Sequence, residues 1–306
     1  MRIVSVIQTL MMLIIAVGPN QTIAGSFSQA SFVKRSLLQR TLIVKTQPRA
    51  VVWIDDVRRG VTNESGRLQV TLSNRPRQIL RVRAAGFAEK TVVVPSTSTI
   101  VLKLVPTRDD AELLFQQAEE TREKAKDVSE REGAEKLYTR VLEKRPGFPA
   151  AHVGRARVLL DLNHYSAALD EIDKARKNRP VYAEASTVEG RILRMDADNK
   201  GAIAAFKRAI RESHGFQPEA FTGLGLAYEE DSQYEEAIAA FQKAATQLSD
   251  TEPVIYQLLG SAYEKVNKNS EAIVAYEKYL KLAPDSPLAP AIQSIIEGLH
   301  KPSLTP

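Results

Sequence analysis

A chain of 306 residues, 43% hydrophobic and 26% charged, has the composition of a soluble globular protein and the length of about two domains. It contains no cysteine, which excludes disulfides, thiolate metal sites and a cysteine nucleophile. Its net charge of +5 hides an asymmetry: residues 26–106 carry 14 Lys and Arg against four acids, whereas residues 107–306 carry 27 against 33.

A basic module joined to an acidic one points to a polyanion partner for the first, or to attraction between the two. Ahead of both, Met1 and Arg2 precede an apolar run from Ile3 to Val17, broken only by Ser5, Gln8 and Thr9. Gly18-Pro19 ends any helix there. Thr22-Ile23-Ala24 then places small residues at the −3 and −1 positions before Gly25. A basic start, an apolar core and a small-residue site read as a secretory signal peptide over residues 1–24. An uncleaved anchor is the alternative, although the run is short beside the roughly 20 residues of a bilayer span. No cysteine follows to carry a lipid. Export to the periplasm or cell envelope is therefore expected, with a linker over 25–39 and no transmembrane span in the mature chain.

Residues 40–106 alternate with a period of two. Short β-rich runs at 41–46, 50–54, 67–72, 78–83, 91–94 and 99–105 are separated by turn residues. Among these are Gln47-Pro48, Asp55-Asp56, Arg59-Gly60, Asn63-Glu64-Ser65-Gly66 and Ala85-Gly86. They predict a small antiparallel β sandwich. Arg81 and Arg83 share one face of their run while Leu80 and Val82 share the other, and Arg58 and Arg59 lie beside a turn. One reading makes Arg58, Arg59, Arg81 and Arg83 a cationic patch for an anionic envelope component. A second leaves them as a solvated sheet face. A third folds the basic domain onto the acidic part of the chain, leaving no patch. Nucleic acid is disfavoured, since Trp53 and Phe87 are the aromatics of this region.

The order Leu42-x-Val44, Pro48-x-Ala50-x-Val52-x-Ile54-Asp55-Asp56, Gly60-x-Thr62 and Ala85-Gly86-Phe87 resembles the PEGA family of small β domains. Asp56 stands where that family usually has glycine, and Arg49 where it often has Glu or a small residue. The resemblance implies an envelope or surface module that binds and does not catalyse.

Residues 107–300 repeat. Ala168, Ala202, Ala237 and Ala272 are spaced by 34, 35 and 35 residues, and each is followed four residues later by Ile172, Phe206, Phe241 or Tyr276. Twelve residues before each alanine lies a small residue: Ala156, Gly190, Gly225 or Gly260. Small residues let two helices approach, a larger side chain fills the gap beside them, and Pro146, Pro180 and Pro284 end the second helices. This spacing resembles the tetratricopeptide repeat family, most clearly over 218–251 and 253–286. About five units are expected, with a capping helix over 287–300 and a tail over 301–306. In the first unit, the charged stretch from Glu119 to Glu132 is expected to lengthen the first helix. The resemblance implies a superhelix whose concave groove is lined by the first helix of each unit. It places Arg157, Thr187, Arg191, Arg194, Leu226, Glu229 and Gln257 in that groove, basic at one end and acidic at the other, where a protein or peptide partner would lie.

Nothing in the sequence supports catalysis. The four histidines, His152, His164, His214 and His300, have no partner at metal-ligand spacing. Gly223-x-Gly225 has Tyr228 in place of a third glycine and lies within a repeat helix. No cofactor is expected. The reading is thus a mixed, multidomain chain: a small antiparallel β sandwich followed by an all-α superhelical helix–turn–helix array. It would act as a non-enzymatic interaction scaffold exported to the bacterial cell envelope. The alternative is a cell-wall or polyanion-binding protein acting through the β domain.

Overall fold

A computed structural model describes residues 40–72, 75, 77–248 and 251–300; the signal peptide, the linker and the tail expected at 1–39 and 301–306 lie outside the described residues.

Among the described residues, seven strands come first: β1 (Arg40–Lys45), β2 (Val51–Ile54), β3 (Val57–Val61), β4 (Arg67–Leu72), β5 (Ile79–Arg83), β6 (Lys90–Val93) and β7 (Thr99–Val101). They form two sheets, ordered β4-β1-β7 and β3-β2-β5-β6. Leu42, Val44, Val52, Ile54, Val70, Leu72, Leu80 and Val82 make their shared buried core. Each pairing is antiparallel except β1 with β7, which run parallel. Strand β3 is a difference from the sequence reading, which took Arg59-Gly60 for a turn. The register slips between Val52 and Trp53, so Arg59 bulges from the ladder. The turn closing β2 and β3 is Asp55-Asp56, with φ of 49° and 64°. A two-residue hairpin turn needs both residues left-handed, and aspartate tolerates that where most residues do not.

Eleven helices follow among the described residues: α1 (Asp110–Lys124), α2 (Val128–Lys144), α3 (Pro149–Asp161), α4 (Tyr165–Asn178), α5 (Ala183–Met195), α6 (Asn199–Glu212), α7 (Pro218–Glu230), α8 (Tyr234–Gln247), α9 (Pro253–Lys265), α10 (Asn269–Leu282) and α11 (Ala289–Leu299). They pair as five hairpins, with α11 packed on α10 through Ile292 and Ile296. The charged stretch of the first hairpin does not form one long helix. Ala125 turns extended at ψ 123°, and Asp127 caps α2 by accepting from Glu130 N at 2.8 Å. The added length is shared between α1 and α2.

The later hairpins turn alike. Asn163, Ala197, Ser232 and Asn267 each adopt φ near 60° just beyond a first helix. The following amide closes the turn, as in Asp198 N to Leu193 O at 2.8 Å and Gln233 N to Tyr228 O at 2.8 Å. Within the hairpins, a notch on the first helix receives a ring from the second. A Cβ added to Gly190, Gly225 or Gly260 would lie under 3 Å from Phe206, Phe241 or Tyr276. Where Ala156 fills the notch, the partner is the smaller Ile172. The Phe206 ring also meets Gly223 of the next hairpin, so one side chain sets two helix–helix distances.

Gly225→Ala should gain about 1 kcal/mol of helix propensity. It must also displace the fully buried Phe241 ring, and overpacking of that kind costs about 1–3 kcal/mol. Net destabilisation is expected, with part of it recovered by adding Phe241→Leu. Denaturant midpoints decide, and a Gly225→Ala protein as stable as the parent would refute the notch.

Candidate functional site: a concave groove with the sandwich docked in it

The first helices of successive hairpins, α1, α3, α5, α7 and α9, share one face of the array, and the outer face of the β3-β2-β5-β6 sheet lies against it. Alternation along β2 and β5 sends Val52, Ile54, Leu80 and Val82 into the sandwich core and leaves Trp53, Arg81 and Arg83 on the far side. Trp53 and Arg81 are direct cross-strand partners. The Arg81 guanidinium lies 4.3 Å from the centre of the Trp53 ring. It is ion-paired with Glu89 at 3.4 Å, Glu184 of α5 at 3.6 Å and Asp56 at 3.7 Å. Arg83 lies 4.4 Å over the Phe115 ring of α1, with Glu89 at 2.5 Å and Glu112 at 3.5 Å. At the margins, Arg58 pairs with Glu123 at 2.9 Å, Arg59 stacks 3.4 Å over Phe216, and Arg179 binds Asp56. Gln116 ties the Gly86–Phe87 turn to α1 through two hydrogen bonds.

Arg58, Arg59, Arg81 and Arg83 therefore do not make an exposed cationic patch. Arg81 and Arg83 are each only 8% exposed, because Glu184, Glu112 and Phe115 of the helices close over them and join Asp56, Glu89 and Trp53 of the sandwich. Of the three readings left open by the sequence, the structure has the one in which the basic domain folds onto the acidic array. Trp53 and Phe115, to which sequence reasoning gave no role in a site, form the centre of the contact with Glu184, whose repeat position implies that it faces the groove.

The electrostatics follow from that burial. Desolvation raises the Glu184 carboxyl, but Arg157 and Arg81 outweigh it and hold the group down to about 2. Burial likewise opposes the charge on Arg157, while Glu184, Glu219 and Glu119 hold its pKa above the ordinary value. Burial lowers Arg59 to about 10, with Asp55 opposing. Tyr182 is pushed well up by burial and by Glu184, to which its hydroxyl donates at 2.9 Å.

The remaining groove residues fall into two sets. Arg157, Arg191 and Arg194 each pair with a glutamate of the following hairpin: Glu184 at 2.8 Å, Glu219 at 3.4 Å and Glu230 at 2.5 Å. The basic end of the groove is thus largely neutralised from within. Thr187 lies on the same face of α5 as Glu184 and Arg191, but it is buried at 1% exposure and donates to Ala183 O at 2.9 Å, so it is not free to meet a partner. Leu226 is partly buried, Glu229 is partly exposed on α7, and Gln257 is partly exposed on α9.

Two cavities result. A cleft of about 910 Å³ lies between the sandwich and the helices, lined by Trp53, Arg58, Arg83, Arg122, Arg157 and Glu184 among others. A second, of about 390 Å³, lies beyond it over Thr222, Leu226, Leu248, Val254 and Ile255, with Arg191 and Arg194 on its rim. Arg191, Pro218 and Glu219 border both. Among the described residues, no group of three or more His, Asp or Glu is placed to hold a metal ion, and no helix is long and apolar enough to cross a membrane.

A stack of helical hairpins defines the class: a solenoid repeat protein. Models described as tetratricopeptide repeat match residues 125–183, 153–215, 189–253 and 253–286, together more than half of the chain. The chain belongs to the tetratricopeptide repeat family. Among solved structures it is similar to PilF of Pseudomonas aeruginosa, with 18% identity and a TM-score of 0.52 over 64% of this chain and 95% of that one. It is also similar to PilW, described as a widely conserved type IV pilus biogenesis factor, with 16% identity and a TM-score of 0.51 over 63% and 94%. MamA matches at 22% identity and a TM-score of 0.47, over 64% and 98%. These likenesses concern the fold. Among curated proteins no significant match is found.

Trp53 is the chain's one tryptophan and lies in the interface, so its emission reports docking. The folded Glu184 pKa lies below its ordinary value near 4.5, so its contribution is complete above that pH and is lost as pH falls toward about 2. Trp53 emission should therefore hold steady from pH 7 to the mid-fours and shift red below. Glu184→Gln leaves Arg81 and Arg157 buried without their shared carboxylate and should cost on the order of 3 kcal/mol. A Glu184→Gln protein whose stability and Trp53 emission match the parent would refute this account.

Proposed function

We propose that the chain is a non-enzymatic protein–protein interaction scaffold exported to the bacterial cell envelope, holding a protein or peptide partner in the free part of its groove. The observation that carries the reading is the open, apolar stretch over Thr222, Leu226 and Val254, where Val254 stays 50% exposed beside the cavity. Soluble proteins keep such concave apolar surface where something docks. Membership of a family of interaction repeats supports the same reading, as does the absence of any motif for catalysis in the sequence. Of the residues expected in the groove, Arg191, Arg194 and Leu226 border this stretch, with Glu229 and Gln257 nearby on α7 and α9. Envelope location rests on the apolar run before Gly25. The PEGA-like character of the sandwich rests on its sequence pattern, and in this reading its work is to dock in the first half of the groove. The polyanion-binding alternative loses Arg81 and Arg83, its central residues, to that docking.

A photo-cross-linking residue placed at Val254 should trap a partner in intact cells, and Leu226→Glu should abolish the product. The same probe at Val274, 65% exposed on α10, should not trap it. Equal trapping at both positions would refute the groove. The protein recovered from the periplasmic fraction should begin at Gly25; a retained Met1 would refute cleavage.

A further inference from the structure

The charges of the free groove do not balance. Its arginines are engaged, Arg191 with Glu219 and Arg194 with Glu230. Two acids, one at the start of α9 and one near the end of α7, have no ion-pair partner among the described residues. Glu252 borders the apolar cavity at the start of α9, where its side chain makes no capping hydrogen bond. Glu229 lies one turn beyond Leu226 on α7 and is raised by burial and by Glu230, with only Lys265 opposing. A half-buried carboxylate with a like-charged neighbour gains most from an added cation. The cavity that Glu252 borders, of about 390 Å³, is lined by Leu226, Leu248, Val254 and Ile255, reaches along α7 to within one turn of Glu229, and is large enough for bulky apolar side chains.

We infer that the partner segment is basic: it seats an apolar side chain over Leu226 and Val254 and brings a lysine or arginine to Glu252 and Glu229. The inference rests on the groove reading above and adds the partner's chemistry to it. It reverses the simplest expectation from the arginines of α5, which would call for an acidic ligand. Those arginines are spent within the array, and their half-exposed pair Arg191–Glu219 borders both cavities, on the side where the sandwich closes the groove. Steering by the unpaired acids also predicts binding that weakens with salt.

The test uses the full chain and labelled short peptides with a central leucine flanked by lysines, by glutamates, or by lysines around an alanine, read by fluorescence anisotropy. The lysine–leucine peptide should bind at least about tenfold more tightly than either of the others. The double variant Glu229→Gln, Glu252→Gln should reduce the lysine preference to about threefold or less while the leucine still matters. Leu226→Glu should abolish the selectivity for leucine over alanine. If the glutamate peptide binds as well as the lysine peptide, and Leu226→Glu still abolishes leucine selectivity, the basic-partner inference falls and the groove reading stands. If Leu226→Glu changes no peptide's affinity, or no peptide binds up to about 1 mM, both fall. Self-association in sedimentation that Leu226→Glu removes would assign the cavity to a second copy of the chain and overturn the peptide occupant.

Discussion

Everything about the groove depends on one buried contact, Arg81 of the sandwich lying between Trp53 and Glu184. Placing a guanidinium out of water is unfavourable unless its counter-charges come with it, and three carboxylates surround this one. Its geometry is loose: Arg81 Nε and Nη2 and Arg83 Nε are buried without a hydrogen-bond partner. Attraction therefore comes largely from the apolar and stacking contacts of Trp53 and Phe115, which bury large ring surfaces. What the charges contribute is selectivity of position. Moving the sandwich along the helices would part Arg81 from Glu184 and Arg83 from Glu112, and losing buried counter-charges is far more costly than losing a surface pair.

The same economy of contacts shapes the array. A ring wedged against glycines of its own and of the next hairpin fixes how closely helices approach. Because Phe206 touches both Gly190 and Gly223, the spacing of adjacent first helices follows from the size of one phenyl ring. Those first helices carry the arginine–glutamate pairs that run from hairpin to hairpin. The groove lining is thus held by two periodic devices, one steric inside the layer and one electrostatic on its face.

Most of the fold was legible because both of its signals are periodic. The period of two marked the strands, and the 34–35-residue recurrence of alanine, glycine and aromatic marked the hairpins. Strand β3 escaped because Arg59-Gly60 looks like a turn, whereas it is a bulge within a strand. The break after Glu119 is hard to read because the stretch holds neither Gly nor Pro before it, and its one local sign is Asp127, the N-cap of α2. For the site, alternation correctly put Arg81 and Arg83 on one face but could not say what that face meets. The answer lay in the charge asymmetry of the two halves, which permits docking without locating it. Trp53, flanked by the core residues Val52 and Ile54, was the available local sign: a large ring on an outward face seeks cover. Thr187 shares the α5 face of Glu184 and Arg191, as its repeat position implies, but its burial there is not visible from a repeat position alone.

The sandwich closes the groove at one end, and that makes the array directional. A segment held as proposed would meet Trp53 and Arg58 at the end that the sandwich closes. Variation in hairpin number would act unevenly as well. A unit inserted ahead of α11 would lengthen the accessible track and leave every contact of Arg81 untouched. A unit inserted between α2 and α5 would separate Phe115 from Glu184 and break the seat that holds the sandwich. Lineages of such chains should accordingly grow from the capping-helix side, with the first three hairpins constant in number.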